Sequence, residues 1–219
     1  MKVRVALPAL LLALALAGCG SEEETAASKP RPKPKDLRVF HAAGLSPVLS
    51  AVSTECEEKL GIRLRPEASG SQVACRKLAE LGRDCDLVML ADAGLVSELL
   101  GGVCSWRLDF AGDEVVLAVG ARAPQTDRAR TNWPAVLLSK GVRIARVDEN
   151  QGPIGYRALM VWKLQEKLGP AGLHDRLMAR CDKVVDHVTR LTPLLKTGEV
   201  DYAFAYRSIC MAHDVRYFF

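Results

Sequence analysis

Three short stretches of this chain place small, hydroxyl-bearing turns directly before helix-like segments: His41-Ala-Ala-Gly-Leu-Ser46, Ala68-Ser-Gly-Ser71 and Gln151-Gly-Pro-Ile-Gly-Tyr156. The first-turn N–H groups of a helix have no intrahelical partner, and the helix dipole is positive there, so such a turn offers donors to an anion. One turn of this kind is ordinary capping; three in one chain point to a shared oxyanion pocket. The competing reading is a hydrolase using Ser46 or Ser71 with His41, His174, His187 or His213. The Gly-x-Ser-x-Gly turn that presents a nucleophilic serine is missing from the sequence, which argues against that chemistry.

The cysteines say less. Of the 7 in the chain, Cys56, Cys75, Cys85, Cys104, Cys181 and Cys210 follow Cys19, and no two are spaced as the CxxC of a zinc or redox site. Six thiols in an oxidising compartment permit three disulfides, whereas Cys56 and Cys75 fall on apolar helical faces where a free thiol acts as a small hydrophobe. Both readings stand.

The turns need elements to hold them. Residues 37–41 form a short β-rich run, after which Ser46-Pro47 opens a helix with Ser as N-cap and Pro at its first position. Val48, Val52, Cys56 and Leu60 then recur at helical spacing as its buried stripe. Residues 62–64 read as a second strand. Ser69-Gly70-Ser71 leads into a helix with Ala74, Leu78 and Leu81 on one face. Residues 86–90 read as a buried parallel strand, and Asp92 starts a helix towards Leu100. In the second half, 114–119 is an unbroken β run and Asn132 caps a helix through Leu138. Residues 142–147 are a strand, and 156–168 a helix with Val161, Leu164 and Leu168 inward and Trp162 beside them. A helix over 188–195 is interrupted at Pro193, and 202–206 and 215–219 are strands. This alternation predicts α/β architecture with parallel sheets covered by helices, and ligands beyond the carboxyl ends of the strands.

Ahead of residue 37 lies no folded pattern. Lys2 and Arg4 precede an apolar run over 5–17, the organisation of a secretory signal, shorter than the roughly 20 residues of a membrane span. Leu-Ala-Gly-Cys at 16–19 resembles the lipobox of bacterial lipoproteins, which implies cleavage before a lipidated Cys19 and anchoring to a membrane by acyl chains. Residues 19–36 read as a stalk: Glu22-Glu-Glu24, then alternating Pro and basic residues, an extended spacer of about 3 Å per residue. The whole chain carries 30 basic and 26 acidic residues. With the two basic residues of the signal and the four basic and three acidic of 20–35 set aside, 24 basic and 23 acidic remain. A near-neutral folded part argues against nucleic acid as a partner.

The quoted turns also sit in longer motifs. His41 to Ser46, Glu67-Ala-Ser-Gly-Ser71 running into Ala74-Cys-Arg-Lys-Leu-Ala-Glu-Leu-Gly82, and Asp86-Leu-Val-Met-Leu-Ala-Asp92 resemble the molybdate/tungstate-binding proteins of ABC transporters. So do Asn132-Trp133, Pro153-Ile-Gly-Tyr-Arg-Ala-Leu-Met160 and Gly198-Glu-Val-Asp-Tyr-Ala-Phe-Ala-Tyr-Arg-Ser208, in the right order over nearly all of 37–219. The resemblance implies a two-lobed periplasmic-binding-protein fold of type II, with 1–18 a signal peptide and 19–36 the lipidated stalk. Lobe 1 would be 37–115 with a return segment 205–219, and lobe 2 would be 116–204. It implies a monomer with no catalytic activity and no cofactor. The lobes would close on molybdate or tungstate and deliver it to the permease subunits of a transporter; sulfate- or phosphate-type binding and a non-binding paralogue are the alternatives.

Carried over position by position, the resemblance puts Gly44, Leu45, Ser46 and Ser71 around the oxyanion from one lobe, and Gly152, Pro153, Ile154, Tyr156 and Tyr206 from the other. Two departures bear on chemistry. The family's first turn reads Gly-Ser-Leu-Ser, so Gly44 stands where its first hydroxyl would be. Archaeal-type members carry acidic residues before the Pro and before the last Tyr that expand the metal's coordination; here these positions are Gly152 and Ala205. The implied ligand is a four-coordinate oxyanion held without direct carboxylate ligation. The family also continues beyond the point matching Phe219, so the first lobe is expected either as a compact variant or as one cut short.

Overall fold

The computed structural model describes residues 33–219, so the signal, Cys19 and the stalk up to residue 32 lie outside the described residues. Two sheets organise the rest. The small sheet has the order β2-β1-β3, built from β1 (Lys35–Ala42), β2 (Ile62–Ser69) and β3 (Leu87–Met89), all parallel. Helices α1 (Ser46–Leu60), α2 (Ser71–Ala79) and α3 (Gly94–Leu99) connect and flank these strands.

The large sheet has the order β6-β5-β7-β4-β8. Its strands are β4 (Val115–Val119), β5 (Ile144–Val147), β6 (Lys183–Val185), β7 (Tyr202–Tyr206) and β8 (Arg216–Phe218). Around it lie α4 (Thr126–Leu137), α5 (Pro153–Leu168), α6 (Leu173–Arg180), α7 (Leu191–Lys196) and the short α8 (Arg207–Ala212). Strands β5, β6 and β7 are parallel, but β4 runs antiparallel to both β7 and β8, so this sheet is mixed. The unbroken apolar runs of β4 and β7 follow from burial on both faces. Val116, Ala118, Ala203 and Ala205 pack into one core layer; Leu117, Val119, Tyr202 and Phe204 pack into the other, with Trp162 and Ile144. The small sheet owns a much smaller cluster of Cys75, Leu95 and Leu100.

Several expectations need correction. The segment 205–219 does not return to the first lobe: after α8 the chain turns at Asp214 (φ 52°), and β8 pairs with the free side of β4. That pairing satisfies the backbone groups of β4 and buries Phe218 in the core layer of Leu117 and Trp162, while Phe219 stays exposed. In α1 the expected stripe is half wrong, because Val48 and Leu60 are exposed and Leu49 is the buried residue. The small sheet covers too little of this helix to bury a full stripe. In α5, Leu164 (60% exposed) and Leu168 (78%) face outward, and the inward line is Ile154, Ala158 and Trp162, four residues apart. Likewise Leu81 is exposed, β3 is a half-exposed edge strand, and the 188–195 helix is a single 3₁₀ turn (Val188–Arg190) followed by α7. Asn132 breaks α4 with φ −147° and accepts a hydrogen bond from the Ala135 N–H, which caps the second half as expected.

All six described cysteines are free thiols. Burial pushes Cys75 up to about 11 and Cys210 up to about 12, so neither is a thiolate at neutral pH. No helix among the described residues is long and apolar enough to cross a membrane.

Candidate functional site

Parallel pairing aligns strand ends. Ala42 lies beside Ser69 and His41 beside Met89, so the chain leaves β1, β2 and β3 at one edge of the small sheet. The turns at 43–45, 70–71 and 90–92 are therefore neighbours. The large sheet presents its own carboxyl-end turns to them: 148–152 after β5, 186–188 after β6 and 206–208 after β7. Both sets open onto a cleft of about 1240 Å³, part of whose wall is the segment 103–113.

The two sets of turns approach most tightly at Gly70. A Cβ built on Gly70 would lie 1.9 Å from the Gln151 carbonyl oxygen, a closeness only glycine permits. Beside it, Gln72 Nε2 donates to the Glu149 carbonyl (3.0 Å) and Arg76 Nη1 to that of Asn150 (3.1 Å). The first turn is looser: a Cβ on Gly44 would sit at ordinary contact, 3.6 Å from Val188 Cγ1 and from Ile209 Cδ1.

Of the residues singled out from sequence, Gly44, Leu45, Ser71, Gly152, Pro153, Ile154 and Tyr206 line the cleft. Ser46 does not, although Leu45 and Pro47 on either side of it do. The 3₁₀ turn Ala43–Leu45 feeds straight into α1, which makes Leu45 the N-cap and draws Ser46 into the helix with φ −52°. Ser71 is 1% exposed and its Oγ accepts the Ala91 N–H at 3.0 Å, leaving its proton to donate elsewhere. Gly152 is the N-cap of α5 and Pro153 opens it, so this helix points its N-terminus at the cleft. Ala205 is buried inside the large sheet opposite Val116.

Tyr156 faces a partner instead of the cleft: its hydroxyl donates to Asp92 Oδ2 at 2.5 Å. Burial, then that hydrogen bond, raises its pKa well above the usual tyrosine value. Tyr206 is 6% exposed, and burial pushes its hydroxyl up to about 12, so it stays protonated.

Three residues escaped the sequence reading. Ser69 lines the cleft with a buried hydroxyl that has no partner among the described residues. Arg157 donates through Nη1 to the Tyr206 hydroxyl (2.8 Å) and the Ala91 carbonyl (2.9 Å), and through Nη2 to Asp92 Oδ2 (2.9 Å). Asp92 also accepts the Gly94 N–H on Oδ1 (2.8 Å). Burial alone would raise the Asp92 pKa, but hydrogen bonds from Tyr156 and Gly94 and the charge of Arg157 hold it below the usual carboxylate value. Ser69 was legible as a hydroxyl in a turn; Asp92 and Arg157, 65 residues apart, have no local signature of their pairing.

Among the described residues, no histidine hydrogen-bonds to Ser46 or Ser71. His41 Nδ1 lies on the Ala42 carbonyl, His187 on Thr189 and His174 on Asp175.

The sequence pattern of the family described as bacterial extracellular solute-binding protein matches residues 37–218. An uncharacterized solute-binding protein of Petrotoga mobilis is 33% identical over 188 residues, covering 83% of this chain and 59% of the relative. The molybdate/tungstate-binding protein WtpA of Pyrococcus abyssi is 29% identical over 213 residues, covering 83% and 62%. The chain thus spans about three fifths of the length of these relatives. Among solved structures, the periplasmic molybdate-binding protein of Azotobacter vinelandii aligns with TM-score 0.63 at 20% identity, over 78% of this chain and 71% of that one. The sulfate-binding protein SubI of Mycobacterium tuberculosis aligns with TM-score 0.67 at 16% identity, over 84% and 70%. These two share the fold. With a match over almost the whole described structure, the chain belongs to the bacterial extracellular solute-binding protein family.

Proposed function

We propose that this protein captures a tetrahedral oxyanion, molybdate or tungstate, outside the cytoplasm and presents it to the permease subunits of an ABC transporter. The observation that carries this reading is the meeting of the 43–45, 69–71 and 152–154 turns at one cleft, where the Ser69 hydroxyl is buried without a partner among the described residues. A buried hydroxyl is rarely left unpaired, and a ligand oxygen would satisfy it. Relatives named for molybdate and tungstate binding supply the choice of anion. Gly44, Leu45, Ser69 and Ser71 would hold it from the small-sheet lobe. Gly152, Pro153, Ile154 and Tyr206 would hold it from the large-sheet lobe, through backbone N–H groups, hydroxyls and apolar walls. Ser46 and Tyr156 would support these turns from behind. Neither Gly152 nor Ala205 offers a carboxylate, so the metal would keep four oxygens. The protein would act as a monomer held at the membrane by lipid on Cys19, which a Cys19→Ser variant released from the membrane fraction would support.

Titration calorimetry of the folded protein with molybdate, tungstate, sulfate and phosphate tests the reading. Tight binding of the two larger anions with weaker sulfate and phosphate is expected. Preference for sulfate would move the substrate, and absence of heat with all four would overturn the function.

A further inference from the structure

The cleft contains an anion of the protein's own. Asp92 stands at the carboxyl end of β3, on the small-sheet side, and all its long-range partners stand on the other side: the Tyr156 hydroxyl and the Arg157 guanidinium, both in the first turns of α5. The same guanidinium reaches back to the Ala91 carbonyl and sideways to Tyr206. The Ala91 N–H in turn donates to Ser71 Oγ. One continuous set of hydrogen bonds thus runs from Tyr206 through Arg157 and Ala91 to Ser71, with Asp92 closing it electrostatically.

We infer that Asp92 and Arg157 form a latch that holds the two sides of the cleft together and sets the positions of Ser71 and Tyr206. The pair is suited to this because it is charged, partly buried (side chains 24% and 31% exposed) and supported by neutral donors on both sides. Charge-assisted hydrogen bonds in such surroundings are stronger than neutral ones, and both ions have further partners that offset their desolvation. A solute entering this cleft meets an arginine already neutralised, so the latch adds closure and no net positive charge. Both residues act as positioning residues; the donors to the solute remain the turns. The role of Ser71 and Tyr206 rests on the oxyanion reading, whereas the latch across the cleft does not.

The test uses the full chain and needs no ligand for its first arm. Amide hydrogen exchange is measured for Asp92→Asn, Arg157→Gln, the double variant and Arg157→Lys. Exchange in the facing turns, 69–72 and 149–152, is expected to quicken about tenfold in both single variants. The double variant should be no faster than either, since one interaction is removed in each case. Arg157→Lys keeps the charge but loses the fork, and should fall between wild type and Arg157→Gln. Exchange in β4 and β7 is expected to stay unchanged. Unchanged exchange in the facing turns would overturn the latch, as would faster exchange spread equally into β4 and β7, the mark of a merely structural pair. In the second arm, molybdate Kd should rise about tenfold with Asp92→Asn. Faster turn exchange in variants of a protein that binds no oxyanion would uphold the latch and refute the oxyanion reading alone; faster exchange with unchanged molybdate Kd would overturn the positioning role.

Discussion

Replacing Gly70 by alanine is the sharpest probe of the closed cleft. Gly70 has φ −65° and ψ 150°, extended backbone open to any residue, so the turn itself carries no need for glycine. Only the approach of Gln151 does. The added Cβ would stand 1.9 Å from the Gln151 oxygen and 2.6 Å from its carbonyl carbon, and ordinary contact begins at 3.4 Å. The two turns must therefore separate by about 1.5 Å, and backbone on both sides cannot yield as a flexible side chain would. That movement lengthens the 3.0 Å bond of Gln72 to Glu149 and the 3.1 Å bond of Arg76 to Asn150 past useful range. It also draws the donors of one side off the oxyanion. Losing two hydrogen bonds to a charged ligand at about 1.5 kcal/mol each gives about 3 kcal/mol, or roughly a hundredfold in Kd. Calorimetry with molybdate on Gly70→Ala should show that loss, with a melting temperature close to that of the parent because each core stays intact. Gly44→Ala is the matched control: its Cβ meets neighbours at 3.6 Å, and affinity should hold within about threefold. Parental affinity in Gly70→Ala would refute the claim that the ligand is held between these two turns.

Other outcomes follow from the same geometry. Ser69→Ala and Ser71→Ala should each weaken oxyanion binding about tenfold by calorimetry, and Ser46→Ala less, because only the first two line the cleft. Gly152→Asp has room for its Cβ, 3.7 Å from Gly70 Cα, yet brings a like charge to the anion, so binding should weaken; X-ray absorption on the parent should find four metal–oxygen bonds. Acid should destabilise the fold in two stages in denaturant titrations. His41 and His187 have pKa values lowered from 6.5, chiefly by burial, so the unfolded chain binds protons first and stability falls as pH drops below 6.5. Glu67, held at about 2 by hydrogen bonds from Arg83 and Lys77, adds a loss between pH 4.5 and about 2. Constant stability from neutral pH down to 4 would contradict the first stage.

The sequence was most readable where burial is simplest. The runs at β4 and β7 are apolar at every position because both faces are covered, and the turns after β1 and β2 announced themselves by Gly and Ser. Helix faces were harder. In α5, Leu164 and Leu168 make as good an apolar stripe as Ala158 and Trp162, and only the position of the large sheet chooses between them. Strand β6 is three residues long, too short for an alternation to register. The partner of β8 was misjudged because a free side of β4 exists only once the sheet order is known. In the site, Ser71 and Tyr206 were found from local pattern and family resemblance. The link between them runs through Arg157 and Ala91, which only tertiary structure brings together.

The order β6-β5-β7-β4-β8 also has a kinetic meaning. Strand β4 is made near the middle of the chain, yet its two neighbours are β7, more than eighty residues later, and β8 beyond that. Closing loops of that length is slow, and the pairings that reward it come last. Until residues 202–218 have been made, Leu117 and Val119 have no sheet to join and the larger core cannot condense. The small sheet, complete by residue 89, has no such wait, so the two sheets of one chain are free to form at different times.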